Sequence, residues 1–116
     1  MSKRTDQDYL DDIREATARI QQYTEGCNFD SFLGDLRTQD AVVRNLEVIG
    51  EAAKSISGLL KDRYPTIPWK DLAGVRDKLI HHYFGINYEI VWRVIREELP
   101  QVIARIEGIL DRKSVV

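Results

Sequence analysis

The sequence predicts an all-α fold, an antiparallel bundle of four to five helices. Two observations predict it. Apolar residues recur at three- and four-residue spacing along the chain, and no segment shows the period-two alternation of a strand. Gly26, the Pro65–Pro68 pair and Gly85 punctuate the periodic runs and leave only short connections between them. No linker, internal repeat or low-complexity tract divides residues 1–116, so one helical domain is expected.

The elements follow in order. Thr5 followed by Asp8 opens a first helix, with the carboxylate near the positive end of its dipole. Leu10, Ile13, Thr17, Ile20 and Tyr23 lie along one face of it. Gly26-Cys27-Asn28 ends this helix, and a short turn around 30–33 follows. Thr38 or Asp40 caps a second long helix whose inner face holds Ala41, Val42, Leu46, Ile49, Ala52, Ala53 and Ile56. Gly50 costs that helix about 1 kcal/mol relative to alanine, which is tolerable where another helix must approach closely. Leu59 and Leu60 belong to a separate turn after Gly58.

Pro68 suits the first turn of a third helix, where its missing N–H costs nothing. That helix is expected to run through Leu72, Val75, Leu79 and Ile80 to about Tyr83, with Gly85 as its C-terminal stop. Asn87 caps a fourth helix carrying Ile90, Val91, Val94 and Ile95. Pro100 should kink or restart it, and Val102, Ile103, Ile106, Ile109 and Leu110 complete the last helix.

Composition narrows the function. Hydrophobic residues are 43% and charged residues 31% of the chain, the profile of a soluble globular domain. There is no charged start followed by an apolar run, and no apolar stretch approaches the roughly 20 residues of a membrane span, so no membrane partner is expected. Cys27 is the only cysteine, which precludes an internal disulfide and fits a reducing, cytoplasmic setting. The net charge of −2 argues against a general nucleic-acid coat. Its distribution is more telling: residues 1–60 carry a net −4, residues 61–78 a net +2 and residues 79–116 none. A small basic surface holds a few phosphates even on an acidic protein.

The chemistry concentrates in RDKLIHHYFGIN at 76–87, at the end of the net-basic stretch. Arg76, His81 and Tyr83 fall within eight residues. Arginine stabilises phosphate charge, histidine moves protons near neutral pH, and the tyrosine offers a modifiable hydroxyl. Metal-free RNA cleavage needs a base for the 2′-hydroxyl, an acid for the leaving 5′-oxygen and a cation for the phosphorane-like charge. His81 can serve as base or acid and Arg76 as the cation. One histidine cannot easily make both proton transfers, which favours a homodimer with two copies of His81 facing each other across a two-fold axis. On a straight helix Tyr83 returns to the face of Arg76, whereas His81 lies about 140° away. Plainer roles stand beside these: a partly buried helix-end histidine, an ion pair of Arg76 with Asp71 or Asp77, and a core aromatic at Tyr83. Asp77, Lys78 and His82 are candidates for support. Two adjacent histidines and a distant cysteine make no zinc ligand set, and no glycine loop cradles phosphate, so neither metal nor cofactor is expected. Cys27 reads as a packed thiol.

The spacing Arg-x4-His-x-Tyr resembles the signature of the HepT toxins, small all-helical ribonucleases of the wider HEPN superfamily. The resemblance extends over most of the chain. RNLEVIGEAAKSIS at 44–57 is similar to the family's second-helix segment, with Arg44, Gly50, Glu51 and Ala52 in the expected relation. YPTIPW at 64–69 resembles its connection before the motif helix, and VWRVIREELPQVIARI at 91–106 its final helices. The residue after the arginine, often asparagine in the family, is Asp77 here, which can pair with Arg76 and weaken its hold on phosphate. The resemblance implies an endoribonuclease toxin with a cognate minimal nucleotidyltransferase antitoxin that transfers AMP to the motif tyrosine, corresponding to Tyr83. The alternative class is a non-catalytic helical module that carries or regulates the nucleotidyltransferase through Arg44, Glu51 and the Tyr83 region.

Overall fold

The computed structural model describes residues 3–81 and 85–114; the side chains of Arg76, Ile80, His81 and residues 112–114 lie outside that description. Among the described residues, the regular structure is helical apart from one two-stranded ladder of two residues each. Helix α1 spans Asp6–Thr24, α2 Phe29–Leu33, α3 Leu36–Ser55 and α4 Gly58–Arg63. Helices α5 (Trp69–Ala73) and α6 (Val75–Leu79) are short. Strands β1 (Ile80–His81) and β2 (Gly85–Ile86) follow, then α7 (Tyr88–Arg93), a π-helical turn (Val94–Glu98) and α8 (Leu99–Ser114).

Helix α1 starts as expected. The Thr5 hydroxyl accepts from Asp8 N–H, and the Asp8 carboxylate accepts from Thr5 N–H at 2.9 Å, a closed capping box. These bonds hold the Asp8 carboxyl below its ordinary range. Leu10, Ile13, Ala16, Thr17 and Ile20 are buried, but Tyr23 is 42% exposed and falls off the inner face. Thr17 and Thr24 satisfy their buried hydroxyls on the carbonyls of Ile13 and Ile20, both at 2.8 Å.

Helix α3 starts one turn earlier than the sequence suggests. Its cap is Asp35, not Thr38 or Asp40. Thr38 is the cap's partner: Asp35 accepts from the Thr38 N–H at 3.1 Å and the Thr38 hydroxyl at 2.7 Å, which lowers the Asp35 pKa. The polar first turn carries Leu36 at 73% exposure, so the apolar periodicity does not announce it. Val42, Leu46, Ile49, Ala52, Ala53 and Ile56 are buried as read, with Ala41 only half-buried. Gln39 is buried as well, and its amide donates to the carbonyls of Phe32 and Leu33, both at 2.9 Å, tying α2 to α3.

Helices α1 and α3 are the antiparallel pair at the centre of the fold. Ser57, just past α3, donates from its N–H (2.8 Å) and hydroxyl (2.5 Å) to the carboxylate of Asp6 at the start of α1. Ser57 also caps α4. Leu60 in α4 is buried while Leu59 is 85% exposed. The close approach expected at Gly50 is present: a methyl group there would lie 3.4 Å from the carbonyl oxygens of Leu72 and Ala73. Helix α5 therefore sits directly on the α3 backbone.

The expected helix from Pro68 to Tyr83 is corrected in two places. It breaks at Gly74, whose N–H turns back to the Lys70 carbonyl at 3.0 Å. It ends at Leu79, because Ile80 pairs with Ile86 and His81 with Gly85 in an antiparallel ladder. Gly85 is not the stop of that helix. It opens β2 at φ +80, a conformation that favours glycine. Asn87 then caps α7, accepting from Glu89 and Ile90 N–H. The α-helix restarts beside Pro100, as expected: α7 ends at Arg93, the π-helical turn follows and α8 begins at Leu99. Having no N–H, Pro100 cannot continue the ladder, and the turn before it widens, with Leu99 N–H donating five residues back to Val94. Val102, Ile103, Ile106, Ile109 and Leu110 complete the core. No helix among the described residues is long and apolar enough to cross a membrane.

Candidate active site

The motif segment is held from three sides. Upstream, the indole N–H of Trp69 donates to the Tyr64 carbonyl at 3.0 Å, and Arg105 of α8 donates to the Thr66 carbonyl at 2.7 Å. Helix α6 is anchored by Val75 and Leu79, one turn apart and both buried. Downstream, the N–H of Asn87 reaches back to the Leu79 carbonyl at 2.9 Å and closes the β1–β2 reversal.

Arg76 therefore stands in α6, one residue after a buried anchor, and His81 stands in β1, paired through its backbone with Gly85. The helical arithmetic relating Arg76 and His81 does not hold, since α6 stops at Leu79 and His81 lies in β1. The change of element at Ile80 re-aims the chain between the arginine and the histidine. His82 and Tyr83, and the side chains of Arg76 and His81, lie outside the described residues.

Asp77 and Lys78 are both exposed on α6. The Lys78 ammonium lies 3.4 Å from Glu98 of the π-helical turn, with both side chains about half exposed. Such a pair contributes roughly 0–1 kcal/mol and orients α6 against the last helices rather than stabilising them strongly. The role of Lys78 is thus shared between the motif helix and the π turn.

A second constellation lies between α1 and α3. Arg4, Tyr9, Asp12, Arg44, Glu47 and Glu51 line an open groove of about 340 Å³. Arg4 covers the Tyr9 ring at 5.0 Å and pairs with Asp12 at 2.5 Å, which raises its pKa. Arg44 is 75% exposed, with Glu47 at 3.8 Å. Arg44 and Glu51 of the expected partner surface share this groove with Arg4, Tyr9 and Asp12, while its third part, Tyr83, lies outside the described residues. Arg4 precedes α1, whereas Tyr9 and Asp12 are half-buried residues of α1. Cys27 is half-buried, its Sγ 3.9 Å from the Tyr23 carbonyl, as a packed thiol should be.

An all-helical bundle with an Arg-x4-His motif at a helix-to-hairpin junction defines a class, and comparison with known proteins specifies it. A family model described as ribonuclease HepT-like matches residues 13–109. A Thermococcus cleftensis protein named "Probable ribonuclease HepT" is 45% identical over 105 residues, covering 90% of this chain and 96% of that protein. A Methanocaldococcus jannaschii protein named "Putative RNase MJ0127" is 48% identical over 110 residues, covering 95% and 91%. No solved structure matches. The chain belongs to the HepT-like ribonuclease family.

Proposed function

We propose that this chain is the toxin of a toxin–antitoxin pair, a metal-independent endoribonuclease that works as a homodimer in the cytoplasm. The observation that carries the reading is the family match across residues 13–109, which takes in the whole segment from Arg76 to Tyr83. One His81 imidazole accepts the 2′-hydroxyl proton as the 2′-oxygen bonds to phosphorus. The P–O5′ bond breaks, and the 5′-oxygen takes a proton from the second copy's imidazolium. Arg76 compensates the charge gathering on the phosphorane oxygens. The products are a 2′,3′-cyclic phosphate and a 5′-hydroxyl.

Silencing follows from the tyrosine. A cognate minimal nucleotidyltransferase directs the Tyr83 phenol oxygen onto the α-phosphorus of ATP, pyrophosphate leaves, and the phenol proton goes to solvent. The added AMP brings bulk and an anionic phosphate within reach of Arg76 and excludes the RNA backbone.

The test is cleavage of RNA by the purified, unmodified chain, with intact mass measured after expression with and without the partner. Cleavage that is blocked by a 2′-deoxy substitution at the scissile position, and a mass gain that Tyr83→Phe abolishes together with neutralisation, are expected. A wild type neutralised with no added mass, or a Tyr83→Phe variant neutralised equally well, overturns the modification. The charged α1–α3 groove supports the second reading, a non-catalytic module that holds the nucleotidyltransferase through Arg44 and Glu51. Failure of the unmodified chain to cleave RNA, with partner binding lost in Arg44→Ala, selects it.

A further inference from the structure

The net-basic stretch identified in the sequence acquires an additional member in three dimensions. Lys54 at the end of α3, Lys61 in α4 and Lys70 in α5 line one open groove of about 540 Å³. Three separate elements deliver these ammonium groups, and none of the three pairs with a carboxylate among the described residues. Among the described residues, Asp71 is the only acid lining the groove. Its wall is the 64–68 connection, where Ile67 is 3% exposed and the Trp69 and Arg105 bonds fix the Tyr64 and Thr66 carbonyls. Pro65 and Pro68 give this wall an apolar, rigid surface. At its far end the groove reaches Ala73, three residues before Arg76.

We propose that this groove is the track for the RNA backbone on one side of the scissile phosphate, with Lys54, Lys61 and Lys70 each neutralising one phosphate. The inference rests on the ribonuclease reading and deepens it, by assigning residues that position the strand. Three cations with a single opposing acid complement a polyanion. An open groove with an apolar wall accommodates a single strand, whose sugars and bases need a surface that does not compete for the phosphates. Lysine suits this role, since a point charge follows a flexible backbone without demanding a fixed geometry. The rest of the chain is acidic overall, which confines the strand to this side.

The experiment is a salt titration of binding, read by fluorescence anisotropy, with a single-stranded 2′-O-methyl oligonucleotide that cannot be cleaved. For single strands the slope of log K against log[salt] is about −0.7 per phosphate neutralised. The triple variant Lys54→Gln, Lys61→Gln, Lys70→Gln should therefore flatten the slope by about 2 and weaken binding on the order of 100-fold at 0.1 M salt, the difference closing towards 1 M. The triple Lys→Arg variant should keep the wild-type slope. A control that removes the same charge elsewhere, Arg14→Gln, Arg19→Gln, Arg37→Gln, should keep it too. An unchanged slope in the triple glutamine variant, folded by circular dichroism, overturns the proposal and leaves the groove to an acidic protein partner. A wild type that binds the probe with the expected dependence on these lysines but cleaves no RNA retains the track and rejects the ribonuclease reading. Cleavage with an unchanged slope does the reverse.

Discussion

Arg76 and His81 are five residues apart but belong to different elements, and this decides what their substitution should do. Arg76 follows buried Val75 in α6, and His81 lies on a ladder whose bonds are backbone bonds. Neither residue is glycine or proline and the His81 ladder needs only its backbone, so Arg76→Ala and His81→Ala should both fold. Each should lower RNA cleavage by about 100- to 1,000-fold, the usual loss for one transition-state partner, and abolish growth inhibition. Cleavage assays on variants with wild-type circular dichroism check this, and full activity in either variant removes it from the catalytic set. Asp77 is exposed beside Arg76 on the same short helix, so Asp77→Asn, which restores the residue common in the family, should increase cleavage. The comparison of initial rates at low salt is the sensitive measurement, because an exposed carboxylate competes for the guanidinium most strongly there.

At the scale of elements, the cap of α3 and the α3–α5 crossing are the points where single changes report most. Asp35 accepts two hydrogen bonds from Thr38, which depress its pKa in the folded chain. A depressed carboxyl stabilises the fold at pH values above its unfolded pKa, and that contribution disappears as pH falls through the folded value. Asp35→Ala should therefore melt at a lower temperature than wild type at pH 7, and the two curves should begin to converge below about pH 4. Thermal melts across pH 3–7 measure it; a gap that is constant across this range excludes the charged cap as the cause. Gly50 tests the crossing. Alanine gains helix propensity but places its methyl 3.4 Å from two carbonyl oxygens, so Gly50→Ala should stay within about 1 kcal/mol of wild type. Gly50→Leu has no room against α5 and should cost about 1–3 kcal/mol in denaturant unfolding. Because α5 leads into α6, the leucine variant should also lose cleavage activity.

At the scale of the molecule, the chemistry calls for a second copy. The proposed reaction uses two protonation states of one residue type at once, and the chain holds a single motif histidine in the required spacing. Sedimentation at micromolar concentration should show a homodimer. Mixing His81→Ala with Arg76→Ala protomers should not restore activity, because the mixed dimer carries one His81 where the proposed reaction uses two. A monomer that still cleaves RNA rejects the two-fold site. The surface also divides by charge, with the three-lysine groove at α4–α5 and the mixed Arg4–Asp12–Arg44–Glu51 groove between α1 and α3. The first suits a polyanion and the second a partner with charges of both signs.

The sequence by itself determined the fold class, the caps at Thr5 and Asn87, the inner face of α3 and the close approach at Gly50. Each of these is local, expressed within one or two helical turns as a periodicity, a capping side chain or a missing side chain. It also identified the family, because the motif and the segments at 44–57, 64–69 and 91–106 are contiguous stretches of chain. The tertiary structure decided what depends on distant partners. The helix stops at Leu79 because Ile80 and His81 find a ladder partner at 85–86, and periodicity has no term for that pairing. Asp35 outcompetes Thr38 as a cap although Leu36 beside it is exposed, because Gln39 must sit inside to hold the carbonyls of Phe32 and Leu33. Lys54 joins Lys61 and Lys70 only because α3 ends against α4 and α5, and a charge profile taken along the chain places it in the acidic half. Capping, spacing and composition are read along one dimension, whereas a ladder, a buried amide and a convergence of charges exist only once the chain has closed on itself.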